Sequence, residues 1–185
     1  MIDEVLKDTK SRMEKSIAST QIELNRIRTG RASLALLDTV RVNYYGNLVP
    51  LKQVANLAIP EPRLITIQPW DKNLLSEIEK AILKADLGIT PTNNGHMIRL
   101  PIPPLTEERR KELVRLVHQL GEEGRIAVRN IRRDAIEQLK KLQKEKKISE
   151  DDERLGEQNV QKATDEYIKK IDQAIKAKEA EIMEV

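Results

Sequence analysis

The hydrophobic positions of residues 2–28 recur at helical spacing. Leu6, Met13 and Leu24 lie on one stripe, and the residues between them are mostly polar or charged. This is the pattern of an amphipathic helix that packs against other helices. Gly30 follows the stripe, and glycine is favoured just past a helix end. The pattern therefore predicts a first helix over residues 2–28.

Between residues 31 and 103 the pattern changes. Apolar and polar side chains alternate from residue 40 to residue 44, which is the period of a half-buried strand, and Gly46 then permits a tight turn. Seven of the eight prolines lie in this segment. The predicted elements are strands at 40–44, 48–49, 54–59, 64–68 and 97–102 and one short helix at 74–85. We expect a small β/α/β domain here.

Two more long amphipathic helices are predicted after Pro104. The first starts at Thr106 and runs for about 40 residues, or about 60 Å at 1.5 Å per residue. Ser149 is the predicted N-cap of the next, with acids at 150–153 in its first turn. None of the three long helices has enough apolar surface to be stable alone, so we expect them to pack as a three-helix bundle.

The fold class predicted from these patterns is α+β, with a discontinuous bundle. Residues 1–29 and 105–185 would form the bundle, and residues 31–103 an inserted domain. Two crossings join them, at 29–31 and at 103–105. The first contains glycine and can bend, whereas the second contains two prolines and is stiff. The crossings are either an ordinary pair of linkers or a hinge.

The composition limits the kinds of core and of functional site that this chain can form. Hydrophobic residues make up 39% of the chain and aromatic residues only 2%, so the core must be aliphatic and Trp70 is expected to be a packing residue. Cysteine is absent, which excludes disulfides and zinc–thiolate sites. No apolar run approaches the roughly 20 residues that span a bilayer, and the acidic opening segment is unlike a secretion signal. We expect a cytoplasmic protein without a membrane partner.

The arginines of the second long helix form a candidate site. At about 100° per residue, a basic row about 40 Å long shares one face of that helix, a geometry that suits a phosphate backbone. Alternatively, the row is a solvated face paired with Glu112, Glu122 and Glu137. The scarcity of aromatics disfavours single-stranded RNA and favours structured RNA. The members of the row are Lys111, Arg115, His118, Arg125, Arg129, Arg132, Arg133 and Lys140.

Catalytic constellations are missing from the sequence. Gly121 and Gly124 fall within the helical pattern without a following lysine, so they indicate close helix packing rather than a phosphate loop. His96 and His118 have no ligand or base partner at a suitable spacing, and each is expected at the surface. The acids at 150–153 are explained by helix capping. We therefore expect no enzyme, no metal site and no cofactor.

Five segments resemble the ribosome recycling factor family. These are residues 27–33 (IRTGRAS), 44–46 (YYG), 86–88 (DLG), 99–110 (RLPIPPLTEERR) and 128–135 (VRNIRRDA). The resemblance implies an L-shaped protein with a helical arm and a β/α/β arm joined by a flexible hinge. It also implies a translation factor that binds the post-termination ribosome. With elongation factor G and GTP hydrolysis by that partner, such a factor splits the subunits and releases messenger and transfer RNA.

The resemblance also implies roles for particular residues. The family's bundle lies along the RNA of the large ribosomal subunit, so Arg129, Arg132 and Arg133 are the first expected RNA contacts, followed by Arg125, Arg110 and Arg28. The expected hinge residues are Gly30, Arg31, Pro103 and Pro104. We expect a monomer whose partners are the large ribosomal subunit and elongation factor G. Two other readings remain: an adaptor that binds another protein's helices, and a hydrolase within the inserted domain.

Overall fold

The computed structural model describes residues 1–184, which fold into two compact units. The helical unit contains residues 1–28 and the chain from Glu107 onward. The inserted unit contains Thr29–Thr106. The fold is thus mixed: long helices in one unit and a small sheet in the other.

The helical unit is built from three long helices, α1 (Ile2–Asn25), α3 (Glu107–Lys144) and α4 (Glu150–Met183), each packed against the other two. Ser149 begins α4 as predicted: its hydroxyl accepts from the backbone N–H of Asp152, and the Asp152 carboxylate accepts from the N–H of Ser149. This reciprocal pair satisfies two N–H groups that a helix start otherwise leaves without partners. The α3 length of 38 residues confirms the predicted rod.

An aliphatic stripe from each helix fills the interior of this unit. The predicted core positions Leu113, Val117 and Val128 of α3 are buried, whereas Leu120 and Leu142 are only half-buried. The side chains at most 1% exposed are Met13 and Leu24 of α1, Val117, Val128 and Leu139 of α3, and Val160, Thr164, Ile171 and Ile182 of α4. Burying one such apolar side chain contributes about 1.5–3 kcal/mol.

Glycines allow the helices to approach each other. A Cβ at Gly121 would overlap Cδ1 of Ile175 on α4, and a Cβ at Gly124 would lie 2.8 Å from the Thr20 hydroxyl of α1. Gly121 and Gly124 are both buried. The close packing predicted for these two glycines is confirmed, because neither position has room for a side chain.

The first helix is shorter than predicted. It ends at Asn25, not at residue 28, and the Ile27 N–H bonds to the Leu24 carbonyl three residues back, which tightens the last turn. Gly30 does adopt a left-handed conformation, with φ of +81°, but it lies in the crossing that follows the helix. The glycine therefore marks the turn of the chain and not the helix end.

The inserted unit contains two separate antiparallel sheets. One is a hairpin of β1 and β2, and the other has the strand order β3-β4-β6-β5. The two-residue strand β5 was not predicted, because so short an element carries no periodicity. The elements are β1 (Arg41–Tyr44), β2 (Asn47–Pro50), β3 (Ala55–Glu61), β4 (Leu64–Pro69), α2 (Leu75–Lys84), β5 (Thr92–Asn93) and β6 (Ile98–Pro101).

Alternating residues of the central strands form the core of the inserted unit. Ile65 and Ile67 of β4 are fully buried, and they belong to one cluster with Ile78 and Ile82 of α2. Trp70, by contrast, is 68% exposed, so the prediction that it is a packing residue is wrong. It directly follows the last strand residue, Pro69, and its N–H bonds to the Val54 carbonyl, so its backbone is held while its indole faces solvent.

The glycine at 121 generates the first prediction. Replacing it in Gly121→Val should lower the free energy of unfolding by about 2 kcal/mol, because overpacking forces Ile175 out of its position. Gln119→Val, at an exposed position of the same helix, should change it by less than about 0.5 kcal/mol. Urea denaturation followed by the helical circular dichroism signal measures both. Equal losses from the two variants would contradict the packing role of Gly121.

Candidate nucleic-acid interface

The basic row of α3 runs beside α4, and three of its members reach across to that helix. The imidazole Nε2 of His118 lies 3.4 Å from a carboxylate oxygen of Glu179. Further along, Arg125 pairs with α4 at Asp172 and Arg132 at Gln161. The row is therefore partly engaged within the protein.

Arg125 is the most strongly held of the predicted contacts. Its Nε and Nη2 donate to one oxygen of Asp172 at 2.9 and 2.7 Å, and its Nη1 donates to Glu122 at 3.2 Å. The hydrogen bond to Asp172 is the main cause that raises the pKa of the Arg125 guanidinium. Only 22% of the side chain is exposed. Arg125 thus joins α3 to α4, and a phosphate would have to compete with two carboxylates for it.

Arg132 is held differently. Its Nε donates to Oε1 of Gln161 at 2.7 Å, and the amide nitrogen of Gln161 donates to Asp165 at 2.9 Å. Within residues 1–184 the two Nη groups of Arg132 have no acceptor. A neutral amide therefore orients this half-buried guanidinium, and no carboxylate of the described residues pairs with it.

Arg129 and Arg133 have their partners on α3 itself. Arg129 is 54% exposed and lies 3.5 Å from the second oxygen of Glu122, a long and weak pairing. Arg133 is exposed and donates to the Asn130 side chain at 3.1 Å. Glu122 was one of the three acids that the alternative reading required, and it does engage Arg125 and Arg129. Exposed pairs of this kind contribute about 0–1 kcal/mol, so they break readily when a phosphate approaches.

The partners on α4 were missed in the sequence, although they carry a signal. His118, Arg125 and Arg132 are spaced by seven residues on α3, and Asp165, Asp172 and Glu179 are spaced by seven on α4. Seven residues is nearly two helical turns, so each set shares one edge of its helix. We call these six residues with Gln161 the heptad ladder. Its two halves could have been matched only by assuming that α3 and α4 are antiparallel neighbours.

The two remaining predicted arginines lie elsewhere in the helical unit. Arg28 is exposed and follows the end of α1. Arg110 lies in the first turns of α3 and is half-buried, and its Nε is buried without a hydrogen-bond acceptor among the described residues. Neither residue takes part in the heptad ladder.

Both crossings are held at the same turn of the inserted unit. The Ala32 N–H bonds to the Pro62 carbonyl at 2.7 Å, and the Ile102 N–H bonds to the Arg63 carbonyl at 2.8 Å. A Cβ at Gly30 would lie 3.2 Å from Cγ of Leu105. The four predicted hinge residues therefore lie in two short segments that run side by side, with Gly30 and Arg31 in one and Pro103 and Pro104 in the other. All of them except Gly30 are exposed.

Other kinds of site were sought over the same residues. His96 and His118 are both exposed, as predicted. In residues 1–184 no cluster of three or more histidine and acidic side chains is arranged to hold a metal ion. None of the helices described is both long enough and apolar enough to cross a bilayer.

The family model of ribosome recycling factor matches residues 20–183. The chain belongs to the ribosome recycling factor family. The ribosome-recycling factor of Bacillus subtilis is 56% identical over 185 residues, and the match covers all of both chains. The family's role, recycling of ribosomes in protein synthesis, is therefore the role of this chain.

Two solved structures of ribosome recycling factors are also similar. A solution structure is 43% identical with a TM-score of 0.74, and the match covers 100% of this chain and 98% of the other. The second is the Thermus thermophilus factor, fitted together with Escherichia coli elongation factor G in the E. coli post-termination complex. It is 50% identical over the whole of both chains, with a TM-score of 0.63. These likenesses extend the family assignment to both units.

The heptad ladder generates a prediction about stability. In a double-mutant cycle of Arg125→Gln and Asp172→Asn, we expect a coupling energy of about 1 kcal/mol, because Arg125 is largely shielded from solvent. The coupling should fall in high salt, which screens the pair. The same cycle on Arg129 and Glu122 is the matched control and should give a smaller value. Urea denaturation supplies all the free energies, and a zero coupling for Arg125 and Asp172 would contradict the structural role.

Proposed function

We propose that this recycling factor places α3 against the RNA of the large ribosomal subunit and acts together with elongation factor G. This proposal is supported by the T. thermophilus relative, which is described with elongation factor G on the post-termination complex and is 50% identical to this chain over the full length of both. The bound factor and its partner would separate the subunits so that messenger and transfer RNA leave. GTP hydrolysis belongs to elongation factor G in this scheme.

The geometry of Arg132 is the observation that carries the RNA contact. Its guanidinium is oriented by Gln161, and among the described residues its two Nη groups have no acceptor. A planar fork with two parallel N–H groups matches the oxygens of a phosphate better than a lysine does. Because the tether already limits the rotamers of Arg132, less conformational entropy is lost when the phosphate binds.

We rank the other arginines as RNA contacts by how strongly each one pairs within the protein. Arg129 and Arg133 are exposed cations beside Arg132 and would bind neighbouring phosphates, while Arg125 ranks behind them because of its ion pairs. Arg28 and Arg110 are retained as secondary contacts. Phosphate contacts read the shape of folded RNA and not its sequence, which suits α3, because that helix contains no phenylalanine, tyrosine or tryptophan for stacking.

A non-catalytic role follows from the same chemistry. The side chains described here would position a phosphate but supply no nucleophile with an adjacent base, so the factor would act by binding and by shape, without a cofactor. As a partner of the ribosome and of elongation factor G, it would work in the cytoplasm and as a monomer.

Movement at the crossings is the second part of the proposal. We propose that residues 29–31 and 103–105 form a hinge between the bundle and the inserted domain. The hydrogen bonds of Ala32 and Ile102 anchor both crossings at one turn, so bending would be confined to the few residues beyond those anchors. Two short segments that lie side by side restrict the bending between the units more than a single linker does.

The RNA contact is tested with Arg132→Ala. Affinity for large ribosomal subunits should fall about tenfold or more. The slope of log affinity against log salt concentration should also become shallower by about one, because about one fewer counterion is released on binding. Arg132→Lys should be only a partial substitute, because lysine lacks the fork. Arg154→Ala, an exposed arginine of α4 outside the row, is the matched control and should bind as the unmodified protein does. Unchanged affinity and salt dependence in Arg132→Ala would exclude this contact.

The hinge is tested with Gly30→Ala against Gly88→Ala. Both glycines have a positive φ, of +81° and +73°, so each variant should lose about 1 kcal/mol of stability. Only the Cβ at residue 30 meets another crossing residue, Leu105. Gly30→Ala should therefore slow subunit splitting about fivefold or more with normal ribosome binding, as hinge changes do. If Gly88→Ala slows splitting equally, the effect is one of stability, and the hinge proposal fails.

A further inference from the structure

One acidic residue lies within the basic row of α3. Residues 115, 118, 122, 125, 129 and 132 are spaced by three or four along the helix, so they share one stripe. Five of these six are arginine or histidine, and the sixth is Glu122, whose side chain is exposed. An acid at this place opposes the attraction of the stripe for a phosphate backbone.

Glu122 engages two arginines at once. One of its carboxylate oxygens lies 3.2 Å from Nη1 of Arg125, and the other lies 3.5 Å from Nη1 of Arg129. Arg125 is already paired with Asp172 at 2.7 Å, so Glu122 adds little to its position. Among residues 1–184, no other acid lies within ion-pair distance of Arg129. Glu122 is therefore the main competitor within the protein for the Arg129 guanidinium.

A gain in stability does not account for the pairing of Glu122 with Arg129. The two residues are seven apart, about 10 Å along the helix axis, so both side chains must extend toward each other to meet. The favourable spacings for pairs within one helix are three and four residues. Both side chains are more than half exposed, at 53% and 54%, and exposed ion pairs contribute little. A phosphate can therefore replace Glu122 at Arg129.

The neighbouring acid, Glu123, has a different partner. It is exposed and accepts a hydrogen bond from the side-chain amide of Gln119 at 3.3 Å. None of the cations described in this chain lies within ion-pair distance of Glu123. The two acids carry the same charge on the same helix, but only Glu122 holds arginines. A comparison of the two separates competition for an arginine from the general effect of a negative charge.

We propose that Glu122 limits the affinity of α3 for ribosomal RNA by competing with phosphate for Arg129, and thereby keeps release from the large subunit fast. The inference rests on the proposed function, because it requires the contact of α3 with RNA. On docking, Arg129 leaves Glu122 for a phosphate, and on departure it returns. The competition lowers affinity mainly through a faster dissociation rate. A factor that serves many ribosomes must leave each large subunit before it binds the next ribosome.

The test compares Glu122→Gln with Glu123→Gln in the full-length protein. Both variants remove one negative charge and keep the size of the side chain, so both raise the long-range attraction to RNA equally. Dissociation of labelled factor from large ribosomal subunits is followed after addition of excess unlabelled factor. Glu122→Gln should dissociate about threefold more slowly, which is the effect of one exposed ion pair, and Glu123→Gln should differ by less than about 1.5-fold.

Two further readouts distinguish competition from a structural role. Thermal unfolding of Glu122→Gln should be unchanged or slightly lowered, so slower dissociation cannot result from a more stable fold. With post-termination ribosomes in excess over the factor, and with elongation factor G and GTP, repeated rounds of splitting should slow in Glu122→Gln. Unaltered repeated splitting would overturn the role of Glu122 in release.

Arg129→Gln identifies the cause of the effect. In that background, Glu122→Gln should behave as Glu123→Gln does, because Glu122 no longer has Arg129 to hold. An unchanged dissociation rate for Glu122→Gln, an equal slowing in Glu123→Gln, or a full effect that persists without Arg129 each overturns the proposal. Normal affinity of Arg129→Gln itself would instead contradict the RNA contact of Arg129 in the proposed function. Weakened binding by Arg129→Gln together with no effect of Glu122→Gln would contradict the competition alone.

Discussion

The close approach of α3 and α4 at Gly121 is the constraint on which the helical unit depends. Ile175 occupies the space that a side chain at residue 121 would need, so the separation and register of the two helices are determined together. With that register, residues 118, 125 and 132 of α3 face the partners at 179, 172 and 161 of α4. The heptad ladder is therefore a consequence of aliphatic packing and not its cause, since exposed polar pairs contribute little stability themselves.

The heptad ladder gives similar cations of one row different partners. Arg125 faces two carboxylates and joins the helices, whereas Arg132 faces an amide that orients it and leaves its charge available. A net charge of +3 on the whole chain would not indicate an RNA-binding protein. In the proposed function, α3 would bind a phosphate backbone through a few oriented guanidinium groups on a rigid helix, because binding then requires little rearrangement.

The helices and the glycine packing could be predicted, because both follow from periodicity and composition within one segment. The Ser149 cap is likewise local. Which residues of the basic row pair within the protein could not be predicted, because their partners are α4 residues that lie 29 to 61 positions further along the chain. Trp70 was misjudged since tryptophan is usually buried, and nothing in its neighbours shows that only its backbone is held. The helix end at Asn25 was missed because Gly30 was read as a helix stop, whereas its left-handed conformation serves the crossing.

If Gln161 prepares Arg132 for a phosphate, the two residues are coupled in ribosome binding, and a double-mutant cycle on large-subunit affinity measures that coupling. Four proteins are compared at one salt concentration: unmodified, Arg132→Ala, Gln161→Ala and the double variant. Gln161→Ala should weaken binding about threefold when Arg132 is present and have no effect in its absence, because the amide acts only through the guanidinium. Losses that simply add would show that Gln161 contributes independently of Arg132 and would contradict the role of Gln161 in orienting the guanidinium.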